Sequence, residues 1–427
     1  MKVAFCTLGC KVNQYESQSM EQALIKRGFE CVGASEEADV YIVNSCTVTA
    51  ESDRKTRQNV RHLRKLHPDA VIVLTGCMPQ AFPEDARLLT QADIVTGNRS
   101  NKQIPDMLDE FFRTRERIVR IAQHENGEKF SGELINDFRE RTRATVKIED
   151  GCNRFCSYCV IPYARGRVRS KPLEDIREEI SSLEKKGFSE IVLVGINLSA
   201  YGTDCGASIC DAVELVASFD GIKRVRLGSL EPDHMTPDVT KRLAECKKLC
   251  PQFHISLQSG CDKTLKRMNR HYTAAEYEEL CTRLRSEFED ATLTTDVMVG
   301  FSGETKEDFE ISRDFVKKIG FEKVHVFPYS RRAGTRAAEF PDVVENAEKE
   351  RRSREMIAAA GEVRHEFLER QIGRTVEVLF EEKLRDGSIQ GYTANYTPVR
   401  IKSGCTHGLR KVKITACGDD WCEGELI

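Results

Sequence analysis

Residues 149–170 read EDGCNRFCSYCVIPYARGRVRS and follow the apolar stretch ATVKI at 144–148. The apolar stretch predicts a buried strand, so Cys152, Cys156 and Cys159 fall in the loop after that strand. Three thiolates in one loop can hold three irons of a [4Fe–4S] cluster and leave the fourth iron open to another ligand. A structural zinc site normally closes with four protein ligands, and no further Cys or His follows at such a spacing. The spacing therefore favours a cluster over zinc or unligated thiols.

Residues 140–330, which include this loop, repeat a strand–helix unit about six times. Thr236 with Pro237 predicts an N-cap followed by proline at the first helical position, and Thr273 with Glu276 predicts a capping box. Parallel units of this kind predict a partial, open (β/α)6 barrel with its active site at the carboxyl ends of the strands. The strands are predicted at 144–149, 190–195, 223–229, 252–258, 293–299 and 323–328.

Two further regions flank the barrel. Before it, near-continuous apolar runs alternate with helical segments and predict a doubly wound parallel sheet, with strands at 2–8, 40–45, 70–75 and 93–96. After it, a charged helical stretch leads to segments of alternating polarity separated by glycines, which predict a small antiparallel β-barrel. The fold class is therefore α/β. We predict an N-terminal domain at 1–125, the central barrel at 138–342, a connecting helix at 343–370 and the C-terminal β-barrel at 371–427.

The chain has 427 residues, a formal net charge of −3 and 17 cysteines. A nearly balanced charge excludes a protein that binds nucleic acid over its whole surface, so any such surface is local. Many cysteines in a long chain without a recognisable signal peptide favour metal or redox chemistry over a disulfide framework. No apolar run is long enough to span a bilayer. We therefore expect a cytoplasmic protein with no membrane partner.

A second group of cysteines is spread over the N-terminal domain. Cys10, Cys46 and Cys77 each follow a predicted strand, with 35 and 30 residues between them. Such gaps are too wide for a local metal loop, but parallel strands end at one edge of a sheet, so the fold would bring the three together. Three buried structural cysteines are the alternative. Cys6 lies inside the first strand and is expected in the core, and the other cysteines, Cys405 among them, show no convergent spacing.

The contexts of the N-terminal cysteines, TLGCKVNQYES, VNSCTVT and LTGCMPQ, resemble the N-terminal domain of the methylthiotransferase family of radical-SAM enzymes. The Cys152 loop resembles the cluster motif of the radical-SAM superfamily, and GYTANYTPVRI in the tail resembles the TRAM domain, a small RNA-binding β-barrel. The resemblance covers the whole chain. It implies two [4Fe–4S] clusters, one in the Cys152 loop and one on the N-terminal cysteines that carries sulfur for the product. It also implies S-adenosylmethionine (SAM), as methyl donor and as radical source.

By the same resemblance, segments at the ends of the barrel strands line the SAM site. Phe155 and Tyr158, inside the cysteine loop, either shield the cluster, face the adenine or simply pack. The sequence departs from the family at GFSGET (300–305), where GFPGET is usual, and the change is expected to leave the glycine turn intact. The other residues expected at the SAM site are Gly195, Asn197, Glu231, Ser256, Gln258, Gly300 and Phe327.

A basic stretch borders the predicted active site. Residues 139–171 include nine Lys or Arg and three Asp or Glu, with Arg139, Arg141 and Arg143 ahead of the first barrel strand. Such a run is ordinarily a solvated face, but its position here predicts contact with RNA phosphates. In the tail, tyrosine and asparagine side chains are expected to meet unpaired bases, although core or edge-strand packing is the alternative. The predicted RNA contacts are Arg165, Arg167, Arg169, Tyr392, Asn395 and Tyr396.

The motifs RLGSLEP, GINLSAYG and GYTANYTPV look most like the family branch that modifies threonylcarbamoyladenosine. The resemblance implies an enzyme that adds a methylthio group to C2 of N6-threonylcarbamoyladenosine at position 37 of tRNA. It implies the tRNA anticodon stem-loop, an electron donor and a sulfur source as partners, and no DNA. The alternatives are isopentenyladenosine at position 37, a ribosomal-protein aspartate, or, from another class, a non-catalytic iron–sulfur RNA-binding or sensor protein.

Overall fold

The computed structural model describes residues 1–132, 135, 142–404 and 408–427. Arg139, Arg141 and Cys405 lie outside the described residues, as does the predicted start of the barrel domain at 138.

The first domain is a twisted parallel sheet with helices on both faces. Its strands lie in the order β2-β1-β3-β4-β5-β6, and every pairing is parallel. Apolar side chains on each face of the sheet pack against a different set of helices, which is why the strands read as continuous apolar runs. The elements are β1 (Lys2–Thr7), α1 (Lys11–Lys26), β2 (Glu30–Val32), β3 (Val40–Ser45), α2 (Ala50–Leu66), β4 (Val71–Gly76), α3 (Cys77–Ala81), α4 (Pro83–Arg87), β5 (Ile94–Thr96), α5 (Ile104–Thr114) and β6 (Ile118–Arg120).

The central domain is the predicted open barrel. Two parallel sheets, β11-β10-β7 and β12-β13-β14-β15, meet where Gly228 alone separates β11 from β12. Among the described residues β7 does not pair with β15, so the barrel is open on that side. Its elements are β7 (Arg143–Lys147), β8 (Glu149–Asp150), α6 (Ile161–Arg165), β9 (Arg169–Ser170), α7 (Leu173–Lys185), β10 (Glu190–Val194), α8 (Ile209–Ala217), β11 (Arg224–Leu227), β12 (Ser229–Leu230), α9 (Pro237–Ala244), β13 (Gln252–Ile255), α10 (Asp262–Arg267), α11 (Ala274–Glu287), β14 (Thr292–Val299), α12 (Lys306–Ile319) and β15 (Lys323–Pro328).

Local capping signals set the helix boundaries as predicted. The Thr236 hydroxyl accepts the backbone N–H of Val239 at the start of α9. Thr273 and Glu276 form a reciprocal capping box at the start of α11. Both helices therefore begin where the sequence places them.

The two faces of each barrel strand have different surroundings. Side chains at alternate positions, such as Leu193 and Leu293, pack against the outer helices in one large core. The positions between them point to the lumen, and many of these are polar, for example Arg226, His254 and Asp296. Period-two alternation therefore gives the barrel an apolar outer layer and a polar interior.

The N-terminal domain covers the open side of the barrel. Val12 of α1 packs against Val192 and Val194 on the lumen face of β10. On the other side of the opening, Arg332 forms an ion pair of 2.5 Å with Asp53 at the start of α2. The first domain thus contacts both edges of the opening between β7 and β15.

The chain ends in a small β-barrel reached through a long helix, α13 (Asn346–Glu369). Its described strands close in the order β16-β17-β18-β20-β19, which confirms the predicted β-barrel. The strands are β16 (Thr375–Lys383), β17 (Ile389–Thr393), β18 (Pro398–Ile401), β19 (Gly408–Cys417) and β20 (Cys422–Leu426).

This tail barrel docks on the amino ends of the central strands. Arg143, at the start of β7, pairs with Glu381 at 2.6 Å, and Arg224, at the start of β11, donates to the carbonyl of Glu377 at 3.0 Å. The tail therefore lies at the end of the barrel opposite the cysteine loop. Across the described ranges, no helix combines the length and apolarity needed to cross a membrane.

Candidate active site

The cysteine loop lies just after β7 and β8, at the carboxyl end of the barrel. Gly151 has φ +86°, and a Cβ there would lie 2.0 Å from the carbonyl oxygen of Arg167, so only glycine fits this turn. The thiols of Cys152, Cys156 and Cys159 interact electrostatically, which shows that the loop brings them together. Burial raises the pKa of Cys152 to about 12 and also raises the pKa of Cys159. Iron binding must therefore displace protons from these thiols.

The N-terminal cysteines converge at the carboxyl edge of the first sheet. The strand order reverses between β1 and β3, which is where ligands bind in doubly wound sheets. Cys10 and Cys46 follow these two strands, and Cys77 follows the adjacent β4. A Cβ on Gly9, which has φ +99°, would lie 2.8 Å from Cys46 Sγ. The thiols of Cys10 and Cys77 each lie 3.9 Å from the same acceptor, Asn13 Oδ1. Burial raises the pKa of Cys77 to about 12, and the other two thiols add to the effect.

Arg165, predicted to contact RNA, is instead fully buried between the two domains. Its Nε donates to Cys77 Sγ at 3.3 Å, and its NH2 group donates to Asn13 Oδ1 at 2.7 Å. Its guanidinium also pairs with the Glu16 carboxylate, at 2.5 and 2.9 Å. The prediction of an RNA contact is therefore wrong for Arg165. The side chain joins the barrel to the N-terminal cysteine site.

Carboxylates from α1 and β8 neutralise much of the basic stretch. Lys147 lies 2.7 Å from both Glu16 and Asp150. Arg169 is 7% exposed and lies 3.4 Å from Asp150, so the prediction that it meets phosphates is also wrong. Arg167 alone of the three predicted arginines is exposed. A count of charges along the stretch could not reveal these pairings, because Glu16 comes from α1, and Asp150, although counted, meets the arginines only in the folded protein.

The cysteine loop has a similar set of neighbours. Arg270 NH1 donates to Cys156 Sγ at 3.3 Å, and its NH2 group pairs with Glu231. Asn197 Nδ2 lies 3.9 Å from Cys152 Sγ. Burial raises the pKa of Glu231, while Arg270 opposes that shift. The sequence analysis missed Arg270, which lies between α10 and α11 without a recognisable motif.

Glu149 is another residue that the sequence analysis missed. A Cβ on Gly195 would lie 2.5 Å from its Oε2 atom, and the Asn197 backbone N–H donates to the same oxygen at 2.7 Å. Its other oxygen is buried and has no hydrogen-bond partner among the described residues. Burial raises the pKa of Glu149 well above its usual value. An open carboxyl oxygen beside the cysteine loop fits a ligand that offers an N–H or O–H group.

The remaining residues predicted at the SAM site lie at or near the ends of β13, β14 and β15. Ser256 and Gln258 follow β13, and Gln258 has φ +67°, a left-handed conformation that is uncommon outside glycine. Gly300 has φ +69°, and Ser302 is buried within the turn that follows, so the turn is intact. Phe327 is 45% exposed. Their contact with SAM remains a prediction.

The two aromatic residues of the cysteine loop point in different directions. Phe155 meets Tyr163 edge-on at 5.8 Å between ring centroids, and the Arg167 guanidinium lies 4.5 Å from the Phe155 centroid. Tyr158 packs against Phe301, at 6.2 Å. Tyr163 is 51% exposed, so Phe155, Tyr163 and Arg167 form an accessible aromatic and basic rim beside the cysteines.

The predicted RNA-binding residues of the tail face the central barrel. Asn395 is 4% exposed and hydrogen-bonded to the barrel, so the prediction that it meets an unpaired base is wrong. Tyr392 and Tyr396 stack on each other at 4.5 Å. The Arg143 guanidinium lies 5.2 Å from both rings, and that of Arg226 lies 4.7 Å from Tyr396. These contacts join the rings to the barrel, and because both tyrosines are only half-buried their contact with bases stays a prediction.

The lumen beneath the cysteine loop carries further polar groups. His254 on β13 and Asp296 on β14 lie 3.3 Å apart, Nε2 to Oδ2, and the His254 and His325 rings are 5.9 Å apart. His254 Nδ1 is 3.0 Å from the Thr294 hydroxyl, which orients its ring. His325 is exposed, and His254 and Asp296 are half-buried. The lumen is thus accessible and hydrophilic.

Two family models match the chain. Residues 146–316 match the Radical SAM superfamily, and residues 2–97 match a model described as uncharacterized protein family UPF0004. Among solved structures, the radical S-adenosylmethionine methyltransferase TsrM from Kitasatospora setae, with cobalamin and a [4Fe–4S] cluster bound, is similar with a TM-score of 0.55. The match covers 77% of this chain and 74% of TsrM at 15% identity, so it concerns the fold alone. Fold and superfamily together define a radical-SAM enzyme.

Curated relatives cover nearly the full chain. Threonylcarbamoyladenosine tRNA methylthiotransferase MtaB of Bacillus subtilis is 35% identical over 100% of this chain and 96% of that protein. The protein of the same name from Aquifex aeolicus is 37% identical over 90% of this chain and 94% of its own. A tRNA-2-methylthio-N(6)-dimethylallyladenosine synthase from Pelotomaculum thermopropionicum is 35% identical over 91% and 88%. The chain belongs to the tRNA methylthiotransferase family. This confirms the predicted family and its cofactors, SAM and [4Fe–4S] clusters.

The side chains present fit these cofactors. Each site gathers three free thiols, places an arginine within 3.3 Å of one sulfur, and has a glycine turn where a Cβ would clash. Cationic N–H donors stabilise the negative charge of a thiolate-bound cluster. The orphaned oxygen of Glu149 adds a buried acceptor beside the cysteine loop.

Proposed function

We propose that this enzyme adds a methylthio group to C2 of N6-threonylcarbamoyladenosine at position 37 of tRNA. The observation that carries the proposal is the polar, accessible lumen beneath the cysteine loop, which suits a substituent with hydroxyl, urea and carboxylate groups. Full-length relatives named for this reaction support it.

The six cysteines form two sites with different roles in this proposal. The Cys152 loop holds the cluster that binds SAM, and Cys10, Cys46 and Cys77 hold the cluster that carries the sulfur. When bound, the clusters and SAM supply the electron, radical, methyl and sulfur chemistry. The protein's own side chains position the adenine between the two sites and exclude water.

Arg165 and Arg270 support this arrangement from outside the cysteines. Each donates to a cysteine sulfur and to a carboxylate, which fixes the thiolate and balances negative charge. Because Arg165 belongs to the barrel and Cys77 to the N-terminal domain, their contact also fixes the position of one cysteine site relative to the other. Glu149 is placed to accept a hydrogen bond from the cofactor at its open oxygen.

The RNA partner in this proposal is the anticodon stem-loop. Arg167, Phe155 and Tyr163 form an accessible rim beside the cysteines, with a charge for phosphate and rings for unstacked bases. The reaction also needs an electron donor and a sulfur source as partners.

Isopentenyladenosine at position 37 is the second candidate, because relatives of similar identity are named for the dimethylallyl substrate. That substituent is apolar, whereas His254 and Asp296 give the lumen a polar surface that offers it no apolar contact. The threonylcarbamoyl group is therefore favoured.

Mass spectrometry of tRNA nucleosides from cells with and without the gene tests the proposal. We expect loss of 2-methylthio-N6-threonylcarbamoyladenosine and accumulation of its unthiolated precursor. Loss of 2-methylthio-isopentenyladenosine instead would show that isopentenyladenosine is the substrate. A complementary assay supplies the reconstituted enzyme with stem-loops bearing either nucleoside and compares product formation.

A further inference from the structure

The central barrel differs from a filled (β/α) barrel in its interior. In closed barrels, layers of branched apolar side chains fill the lumen. Here the lumen faces of β11, β13, β14 and β15 present Arg226, His254, Asp296 and His325, and the last of these is exposed. This interior is a chamber, and its open side faces α1 of the N-terminal domain.

Lys11 is the charged residue that the N-terminal domain adds to this chamber. It is the first residue of α1, directly after Cys10, and its neighbour Val12 packs on the lumen face of β10. The residue is accessible at the surface. Burial of its amino group, together with Arg143 and Arg226, lowers its pKa to about 8, and Glu190 opposes the shift. Within the described ranges, Lys11 has no side-chain hydrogen bond or ion pair. It is therefore a cation without a direct partner among the described residues, and it belongs to one domain while lying at the opening of the other.

The other cations in this part of the lumen are already paired. Three arginines of the barrel face three carboxylates, and Glu190 lies within 3.1–3.7 Å of all three. In the part of the chain that the structure describes, Lys11 forms no ion pair, although Glu190 also acts on it electrostatically. The pairs are completed by Glu381 with Arg143 and Glu377 with Arg224.

Lys11 lies next in sequence to Cys10, and therefore near the place where C2 of the base would react. Cys10 belongs to the proposed sulfur-carrying site, so a base whose C2 faces that site lies next to the start of α1. The threonylcarbamoyl group extends from N6 of that base and ends, a few bonds further on, in a carboxylate. An unpaired ammonium beside this path is suited to an anionic end group and offers nothing to an apolar one.

We propose that Lys11 binds the carboxylate of the threonylcarbamoyl group and thereby selects the substrate. This inference rests on the proposed function. It assigns the choice between substituents to the N-terminal domain, whereas the chamber itself belongs to the barrel.

The test measures binding of anticodon stem-loops to the anaerobic holoenzyme by fluorescence anisotropy. One RNA carries threonylcarbamoyladenosine, and a second carries its methyl ester, which removes the negative charge and keeps the rest of the group. We expect the wild-type enzyme to bind the acid about tenfold more tightly than the ester, the size of one charge-assisted hydrogen bond. We expect Lys11→Met to bind both RNAs equally and Lys11→Arg to keep most of the preference.

Lys26→Met is the matched control, because Lys26 is the last residue of the same helix and is exposed at its far end. This variant is expected to discriminate as the wild type does. The acid-to-ester ratio is internal to each preparation, so it does not depend on cluster loading. A Lys11→Met enzyme that keeps the tenfold preference, or a wild type that has none, overturns the inference. Failure of the wild type to methylthiolate the acid RNA would instead overturn the proposed function.

Discussion

The cysteine loop at 152–159 and the three cysteines of the N-terminal domain offer the same ligands, but the chain assembles them in different ways. The loop places its thiols within eight consecutive residues, and the glycine turn at Gly151 shapes it. The N-terminal site takes one cysteine from the end of each of three strands, so it exists only when the sheet has formed. One site is therefore encoded locally and the other by topology.

The neighbours of the two sites nevertheless match. At each site an arginine donates to one sulfur at 3.3 Å and also to a carboxylate. At each site an asparagine Nδ2 also lies 3.8–3.9 Å from a sulfur. In the N-terminal domain this is the sulfur that the arginine contacts, and in the cysteine loop it is a different one. The difference is that Arg165 reaches its cysteine across a domain boundary, while Arg270 stays within the barrel. What the sites share is thus the environment of the sulfurs rather than the route by which the chain builds them.

Removal of one cysteine from each site gives the largest expected contrast. We expect Cys156→Ala to abolish formation of 5′-deoxyadenosine from SAM. Cys46→Ala is expected to retain that cleavage and to stop methylthiolation. Each variant is expected to lose about four of about eight irons per chain. Product analysis by mass spectrometry and iron determination provide the measurements, and cleavage by Cys156→Ala would contradict the assignment of the loop.

Arg165 tests how much the contact across the domain boundary contributes to stability. Replacing Arg165 by Met removes two hydrogen bonds from buried Glu16, which keeps only Lys147 as a cationic partner, so we expect a loss of about 2–3 kcal/mol in the free energy of unfolding. Anaerobic urea unfolding of the cluster-free full chain, followed by circular dichroism, measures the change. Arg27→Met is the control, because its pairs with Asp106 and Asp109 are exposed and contribute about 1 kcal/mol or less. A similar small effect at Arg165 would show that the boundary contact is dispensable.

The two asparagines give the smallest and most selective effect. Asn98 Nδ2 lies 3.8 Å from Cys77 Sγ, and Asn197 Nδ2 lies 3.9 Å from Cys152 Sγ. Loss of an N–H near sulfur destabilises the reduced cluster, so each alanine variant is expected to lower the reduction potential of its own cluster by a few tens of millivolts. Redox titration followed by electron paramagnetic resonance distinguishes the clusters. Equal shifts of both clusters in either variant would be inconsistent with separate environments.

The contrast between local and topological encoding also explains what the sequence could predict. The order of strands and helices followed from apolar periodicity and from caps such as Thr273 with Glu276. The cysteine loop followed from its spacing alone. Convergence of the N-terminal cysteines required both a prediction of parallel strands and a family resemblance, because nothing in their spacing indicates a site.

The errors arose where the tertiary fold, and not the order of residues, decides which partners a side chain meets. The arginines at 165 and 169 look like a phosphate-binding run until Glu16 and Asp150 meet them in the folded protein. Asn395 of the tail looks like a base-binding group until Asp290 of the barrel accepts a hydrogen bond from its side chain. In both cases the residue types suit RNA and an internal interface equally well, and only the tertiary fold decides between them.

Alternation along the barrel strands has a consequence for how such an enzyme diversifies. Residues such as Leu193 and Leu293 maintain the packing of the outer helices, while their neighbours in sequence line the chamber. Changes at the second set leave the apolar layer intact and so have little effect on folding. A lineage can therefore exchange one nucleoside target for another through a few side chains, without rebuilding the scaffold that supports its catalytic sites.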